Sequence, residues 1–113
     1  MSAITTHVLD ISSGGPAAGL AVVLEFRGEG GWTRLGAGAT DGDGRVASLL
    51  PDGQPVEAGT YRLTFDTGGY FAARGVTGFY PQVVVAFDVA DPGGHHHVPL
   101  LLSPFGYSTY RGS

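Results

Sequence analysis

Short stretches in which apolar and polar residues alternate, separated by clusters of glycine, proline, serine and aspartate, run along this chain. Period-two alternation places successive side chains on opposite faces of a strand. Over residues 4–11, Ile4, Thr6 and Val8 oppose Thr5, His7 and Leu9, and the Ser12-Ser13-Gly14-Gly15-Pro16 cluster breaks the pattern. LAVVLEFR at 20–27 predicts a second strand, 28–31 a turn, and 32–39 a third, more polar strand that is partly exposed. TDGDG at 40–44 predicts a tight turn that delivers Arg45 into a short segment over 46–50. A loop over 51–59 leads to the alternating TYRLTFD at 60–66, and 67–75 holds the one stretch suited to a helical turn or two. After the Phe79-Tyr80-Pro81 corner, 82–89 is strongly β-branched, and 91–94 turns the chain into a closing hairpin over 95–113. The terminal residues are expected to be tied into a sheet. Seven or eight short strands with one short helix predict an all-β antiparallel sandwich. With no internal repeat and no linker, residues 1–113 read as a single domain.

The closing hairpin carries the chemistry. Alternation puts His95, His97, Pro99 and Leu101 on one face and His96, Val98, Leu100 and Leu102 on the other. The second set is the better core face, so His95 and His97 are expected to point out of the chain's own core, about 7 Å apart along the strand. The remaining histidine, His7, lies on the first strand. A histidine pair with an arginine, Arg45, on a sheet scaffold is suited to activating water, one imidazole acting as base and the other orienting it. Three histidines also suit zinc with an open water position, with His7, His95 and His97 as the ligands, although no carboxylate stands out to orient them.

Composition narrows the field. The 20 glycines and 7 prolines would suggest low complexity were 42% of the residues not apolar and gathered in short runs. The net charge is −4 and the six cations are all arginines, spread singly, which argues against nucleic acid and anionic membrane as partners. Without lysine there is no side-chain Schiff base; without cysteine there are no thiol nucleophiles, thiolate metal sites or disulfides. No signal-like apolar stretch opens the chain and no apolar run approaches membrane-spanning length, so the expectation is a soluble, cytoplasmic protein. No phosphate loop, nucleophile elbow or HExxH occurs. TDGDG lacks the later ligands and flanking helices of a calcium loop, and Asp41 and Asp43 read as turn residues bonding their own backbone.

ITTHVLD at 4–10, TDGDGRV at 40–46 and HVPLLLSPFGYSTYRGS at 97–113 closely resemble the transthyretin-like 5-hydroxyisourate hydrolases, and the resemblance runs the length of the chain. The terminal YRGS is its most specific element. The resemblance implies a transthyretin-like sandwich of two four-stranded sheets with one short helix. It also implies a homotetramer of 222 symmetry with a central channel, and sites at the dimer–dimer interface. The implied reaction, without a cofactor, is hydrolytic opening of 5-hydroxyisourate to 2-oxo-4-hydroxy-4-carboxy-5-ureidoimidazoline, a step of urate degradation. Carried over by motif position, His7, Arg45, His97 and Ser113 are the expected catalytic residues. Arg45, Tyr110 and Ser113 are expected to bind substrate, and His95 to support the site. His96 stands where the family commonly has an aromatic; by parity it faces away from His97 and is expected to have no direct role. Tyr110 resembles the bulky residue that narrows the enzymes' channel, and Arg45 stands where the hormone carrier has an acid. Two alternatives stay open: a non-catalytic transthyretin-like carrier, and the zinc-dependent hydrolase.

Overall fold

The computed structural model describes residues 3–51 and 53–113, so Met1, Ser2 and Asp52, the last within the expected loop, lie outside the described residues. The strands are β1 (Ile4–Asp10), β2 (Gly15–Pro16), β3 (Ala21–Gly28), β4 (Gly31–Ala39), β5 (Gly59–Phe65), β6 (Val83–Val89), β7 (His96–Ser103) and β8 (Gly106–Thr109). One helix, α1 (Thr67–Ala73), joins β5 to β6. They form two four-stranded sheets, ordered β2-β1-β7-β8 and β4-β3-β5-β6. The inward residues of the alternating segments meet between the sheets: Ile4, Val8, Leu100 and Leu102 from one, Val22, Leu24, Leu63 and Phe65 from the other. Such burial of apolar surface is the main term holding a sandwich together.

The structure corrects the strand reading in three places. The sandwich is not wholly antiparallel: β1 pairs β7 in parallel, with Thr5 opposite His97 and His7 opposite Pro99. Alternation fixes which face a residue occupies but carries no information on strand direction. The breaker at 12–16 contains β2, two residues that pair antiparallel with the end of β1. Residues 46–50 form no strand; instead Val46, Leu49 and Leu50 drop into the core. This segment lies so close over β4 that a Cβ on Gly36 would come within 1.6 Å of the Leu49 carbonyl oxygen. Packing by side chains across β4 replaces a backbone ladder. The less regular pattern of β4 has its own cause, a bulge opposite Leu24 and Glu25.

At the end of β1, Asp10 is 3% exposed. Its Oδ2 accepts the Tyr70 hydroxyl at 2.8 Å, and its Oδ1 accepts the backbone N–H groups of Ser12 at 3.0 Å and Ser13 at 3.2 Å as well as the Ser12 hydroxyl. Burial alone would raise its pKa, but these hydrogen bonds outweigh it and hold the carboxyl below the usual 3.8. The bond from Tyr70 ties α1, on one sheet's connection, to β1 of the other sheet. The helix itself is capped by Asp66, whose Oδ1 accepts the Gly69 N–H at 3.0 Å.

Candidate active site

Three separate stretches of chain converge on the outer face of the β1–β7 pair. The first is the turn after β4. Asp41 Oδ1 accepts the N–H groups of Asp43 at 2.9 Å and Arg45 at 3.1 Å, the self-bonded turn expected of it, while Asp43 contributes backbone groups. The Gly44 carbonyl accepts the Val8 N–H at 2.8 Å. Gly44 sits at φ +79°, and a Cβ there would lie 2.3 Å from the Val8 carbonyl oxygen. Glycine thus serves twice, allowing the left-handed backbone and the close approach to β1. Docked in this way, the turn places Arg45 in a backbone bridge with His7. The His7 Nε2–H donates to the Asp43 carbonyl at 2.8 Å, so neutral His7 carries its proton on Nε2 and leaves Nδ1 bare.

The second stretch is the start of β7. His95 is exposed and His97 half-buried, with the two rings stacked at 6.3 Å between centroids and 19° between planes. Between them stands the Thr5 hydroxyl, 3.0 Å from His95 Nε2 and 2.8 Å from His97 Nδ1. Burial pushes the His97 pKa below its ordinary 6.5, and coupling first to the Arg45 guanidinium and then to the His95 and His7 imidazoles acts in the same direction. His97 is thereby held neutral at physiological pH. The third stretch is the C-terminal segment: the Gly112 N–H donates to the His97 carbonyl at 2.8 Å, bringing Ser113 alongside.

Together Thr5, Arg45, His95, His97 and Ser113 line an open cavity of about 490 Å³. His7 is not in its wall. It lines an adjoining depression of about 370 Å³ with Asp43 and Arg45, so Arg45 divides the two spaces. Tyr110 is placed elsewhere: 58% exposed, it borders a separate cavity of about 220 Å³ that it shares with Phe87, His96, His97 and Arg111. His96 lies on the opposite face from His97, 5% exposed, and its Nδ1 has no hydrogen-bond partner among the described residues. Among the described residues no three His, Cys, Asp or Glu side chains gather closely enough to hold a metal ion, so the zinc reading of His7, His95 and His97 has no geometric support. Sequence reasoning missed Thr5. Parity places it on the face of His7, but only the parallel register with β7 puts it between two imidazoles.

Residues 4–112 match the HIUase/Transthyretin family, and the chain belongs to that family. It is 48% identical over 115 residues to a 5-hydroxyisourate hydrolase of Rhizobium meliloti, covering 97% of this chain and 95% of the relative. With the 5-hydroxyisourate hydrolase of Salmonella typhi it shares 46% identity over 110 residues, covering 97% and 80%. Among solved structures it is similar to Klebsiella pneumoniae 5-hydroxyisourate hydrolase, with TM-score 0.83, 40% identity, and 97% and 98% of the two chains covered. It is similar also to sea bream transthyretin in complex with thyroxine, with TM-score 0.90, 36% identity, and 98% and 95% covered. No helix among the described residues is long and apolar enough to cross a membrane.

Proposed function

We propose that this protein hydrolyses 5-hydroxyisourate to 2-oxo-4-hydroxy-4-carboxy-5-ureidoimidazoline, in urate degradation. The observation that carries the proposal is the joint placement of Arg45, Ser113 and a neutral-held His97 on one open cavity, with His7 against the other side of Arg45. The substrate is planar, acidic and rich in carbonyls. A guanidinium grips such a molecule by its fork of donors and stabilises the oxyanion that forms when water adds to a ring carbonyl. Neutral imidazole accepts the water's proton as the C–O bond forms and returns it to the ring nitrogen as the C–N bond breaks, which leaves a carboxyl on the carbon and an N–H on the opened ring. His7 and His97 each have a nitrogen for this work, Nδ1 on His7 and Nε2 on His97, as their other nitrogens are engaged by Asp43 and Thr5. Ser113 completes the set through its hydroxyl or terminal carboxylate, His95 supports His97, and Tyr110 bounds the substrate channel from the assembly.

That assembly is proposed as a homotetramer, a dimer of dimers with sites at the dimer–dimer interface. Phe105, Tyr107 and Tyr110 are exposed along the β8 hairpin, and aromatic surface of this kind is normally covered. Pro99, expected to be part of the exposed face, is already buried within the chain, and Leu101 is half-buried, so the hairpin aromatics carry more of this reading. Sedimentation velocity at micromolar concentration gives a tetramer on this proposal and a monomer if it fails. Residues 1–113 are proposed to be one domain. The proposed location is the cytoplasm; the chain has no cysteine requiring an oxidising compartment, and fractionation checks it.

The likeness to transthyretin in complex with thyroxine favours a second reading, a carrier that holds a planar ligand without turning it over. The decisive assay generates 5-hydroxyisourate enzymatically and follows its ultraviolet absorbance with and without the protein. Accelerated decay supports the hydrolase; unchanged decay with saturable binding supports the carrier.

A further inference from the structure

The terminal Tyr110-Arg111-Gly112-Ser113 segment carries a glycine that its backbone does not require. Gly112 lies outside the left-handed region, so its conformation is open to residues with a side chain. The reason for glycine lies beside it. A Cβ built on Gly112 would stand 2.5 Å from His97 Cδ2, 3.2 Å from His97 Cγ and 3.2 Å from Pro99 Cγ. The His97 imidazole therefore rests against bare backbone, in the space where any other residue carries its first side-chain carbon. Close approach of this kind is one of the uses of glycine.

The contact joins parts that are otherwise held. The Gly112 N–H donates to the His97 carbonyl at 2.8 Å, which pins the terminal segment to β7 at this point. The ring has its Nδ1 2.8 Å from the Thr5 hydroxyl and stacks on His95 at 6.3 Å. Its Nε2, the nitrogen left open for the reaction, is bonded to Cδ2, the ring atom that an added Cβ would meet first. We propose, resting on the hydrolase reading, that Gly112 is a positioning residue: its bare Cα is the seat that sets where His97 presents Nε2 to the cavity. Carbon atoms settle at about 3.5–4.0 Å, so a methyl group at position 112 obliges the ring to retreat by about 1 Å. Misplacing a reacting group by that distance costs about 10²-fold in rate.

The test is Gly112→Ala in the full chain. The backbone accepts alanine there and the residue lies outside the core, so the thermal midpoint is expected to stay or rise slightly. Turnover moves the other way: kcat is expected to fall about 10²-fold, with KM close to wild type because Arg45 is untouched. A merely structural role for the glycine would lower stability and activity together. Proton spectra read the seat directly. The wild type is expected to show a nuclear Overhauser contact between a Gly112 Hα and His97 Hδ2, and the variant a shifted His97 Hδ2 resonance. On a His97→Asn background, Gly112→Ala should cause no further loss of kcat, since the ring that it displaces is gone. Wild-type turnover in Gly112→Ala, unmoved His97 resonances, or a loss that recurs in full beside His97→Asn overturns the seat. A ring that shifts as described in a protein that opens no 5-hydroxyisourate, wild type included, keeps the seat and removes the hydrolase reading.

Discussion

The first strand ends in one polar cluster and begins in another, and the two are built on opposite terms. At Asp10, the buried carboxylate has its oxygens filled by donors from Ser12, Ser13 and Tyr70, and its charged form is favoured. At His97, half-buried on β7 opposite Thr5, burial and then the neighbouring Arg45, His95 and His7 disfavour the charged form. A satisfied cluster of the first kind stabilises the fold and is chemically quiet. A cluster held away from its preferred charge state, with a nitrogen left open to a cavity, is what a general base requires. The β1–β7 pair thus separates stability from reactivity by a few residues.

Breaking the reactive end should have the largest effect. His97→Asn and His7→Asn each remove an imidazole while keeping a polar side chain of similar reach. Each is expected to lower kcat for ring opening by about 10²–10⁴, the usual contribution of acid–base catalysis. Thermal unfolding should be nearly unchanged, because neither ring belongs to the core. Near-normal turnover in both variants would remove the histidines from the mechanism.

The quiet end predicts the converse. Asp10→Ala leaves the buried Tyr70 hydroxyl without its acceptor and cuts the tie between α1 and β1. A loss of about 2–3 kcal/mol is expected, the scale of a buried hydrogen bond to a charged group, read as a lower urea midpoint. Activity per folded molecule should persist. The pH dependence of stability separates the two ends further. Asp10, with its pKa lowered, contributes stability that is present above 3.8 and lost as pH falls through its folded value. His97, also lowered, leaves stability intact above 6.5; it declines as pH drops below 6.5, where the unfolded chain takes up a proton that the folded one resists, until the folded value is passed. Asp10→Ala should delete the lower of these two declines in a melting series and leave the upper.

Much of this contrast was legible in the amino-acid string, and its limits are instructive. The face assignments of β1 and β7 needed only alternation, so the core placement of Val98, Leu100 and Leu102 and the outward turn of His95 and His97 followed directly. Arg45 was singled out with the histidines by residue type, whereas Ser113 beside His97 depended on family resemblance, since no local pattern links residues so far apart. Thr5 and the 46–50 segment were hidden for a physical reason. Each owes its role to the register and closeness of neighbouring chain, set by a parallel pairing in one case and by the bare backbone of Gly36 in the other. Asp10 reads in sequence as the polar end of a strand; its burial depends on Tyr70 arriving from the helix.

Arg45→Gln sharpens the reactive end without removing a histidine. Losing the guanidinium is expected to reduce kcat/KM by roughly tenfold to a hundredfold, as substrate charge loses a forked partner. It should also raise the His97 pKa, because a positive neighbour that opposed protonation is gone. The acid limb of the kcat/KM profile then moves to higher pH, and the upper decline in stability becomes shallower. A limb that stays in place would mean that a group other than His97 sets it.

The smallest effect is expected on the far side of β7, where His96 offers a third arrangement, a buried imidazole neither saturated nor aimed at the candidate active-site cavity. Its Nδ1 has no partner among the described residues, and the ring borders the cavity of about 220 Å³ beside Phe87 and Val98. Replacing it with Phe removes the orphaned nitrogen, and the adjoining space accepts the larger ring. The change should stabilise the protein by about 1 kcal/mol, the low end of the cost of an unsatisfied buried polar atom, with the denaturant slope unchanged. Since the ring faces away from His97, kcat should stay within about twofold, well under 1 kcal/mol in the barrier. Destabilisation on this substitution would show instead that Nδ1 finds a partner across a subunit boundary, making His96 part of the proposed assembly rather than a flaw in the core.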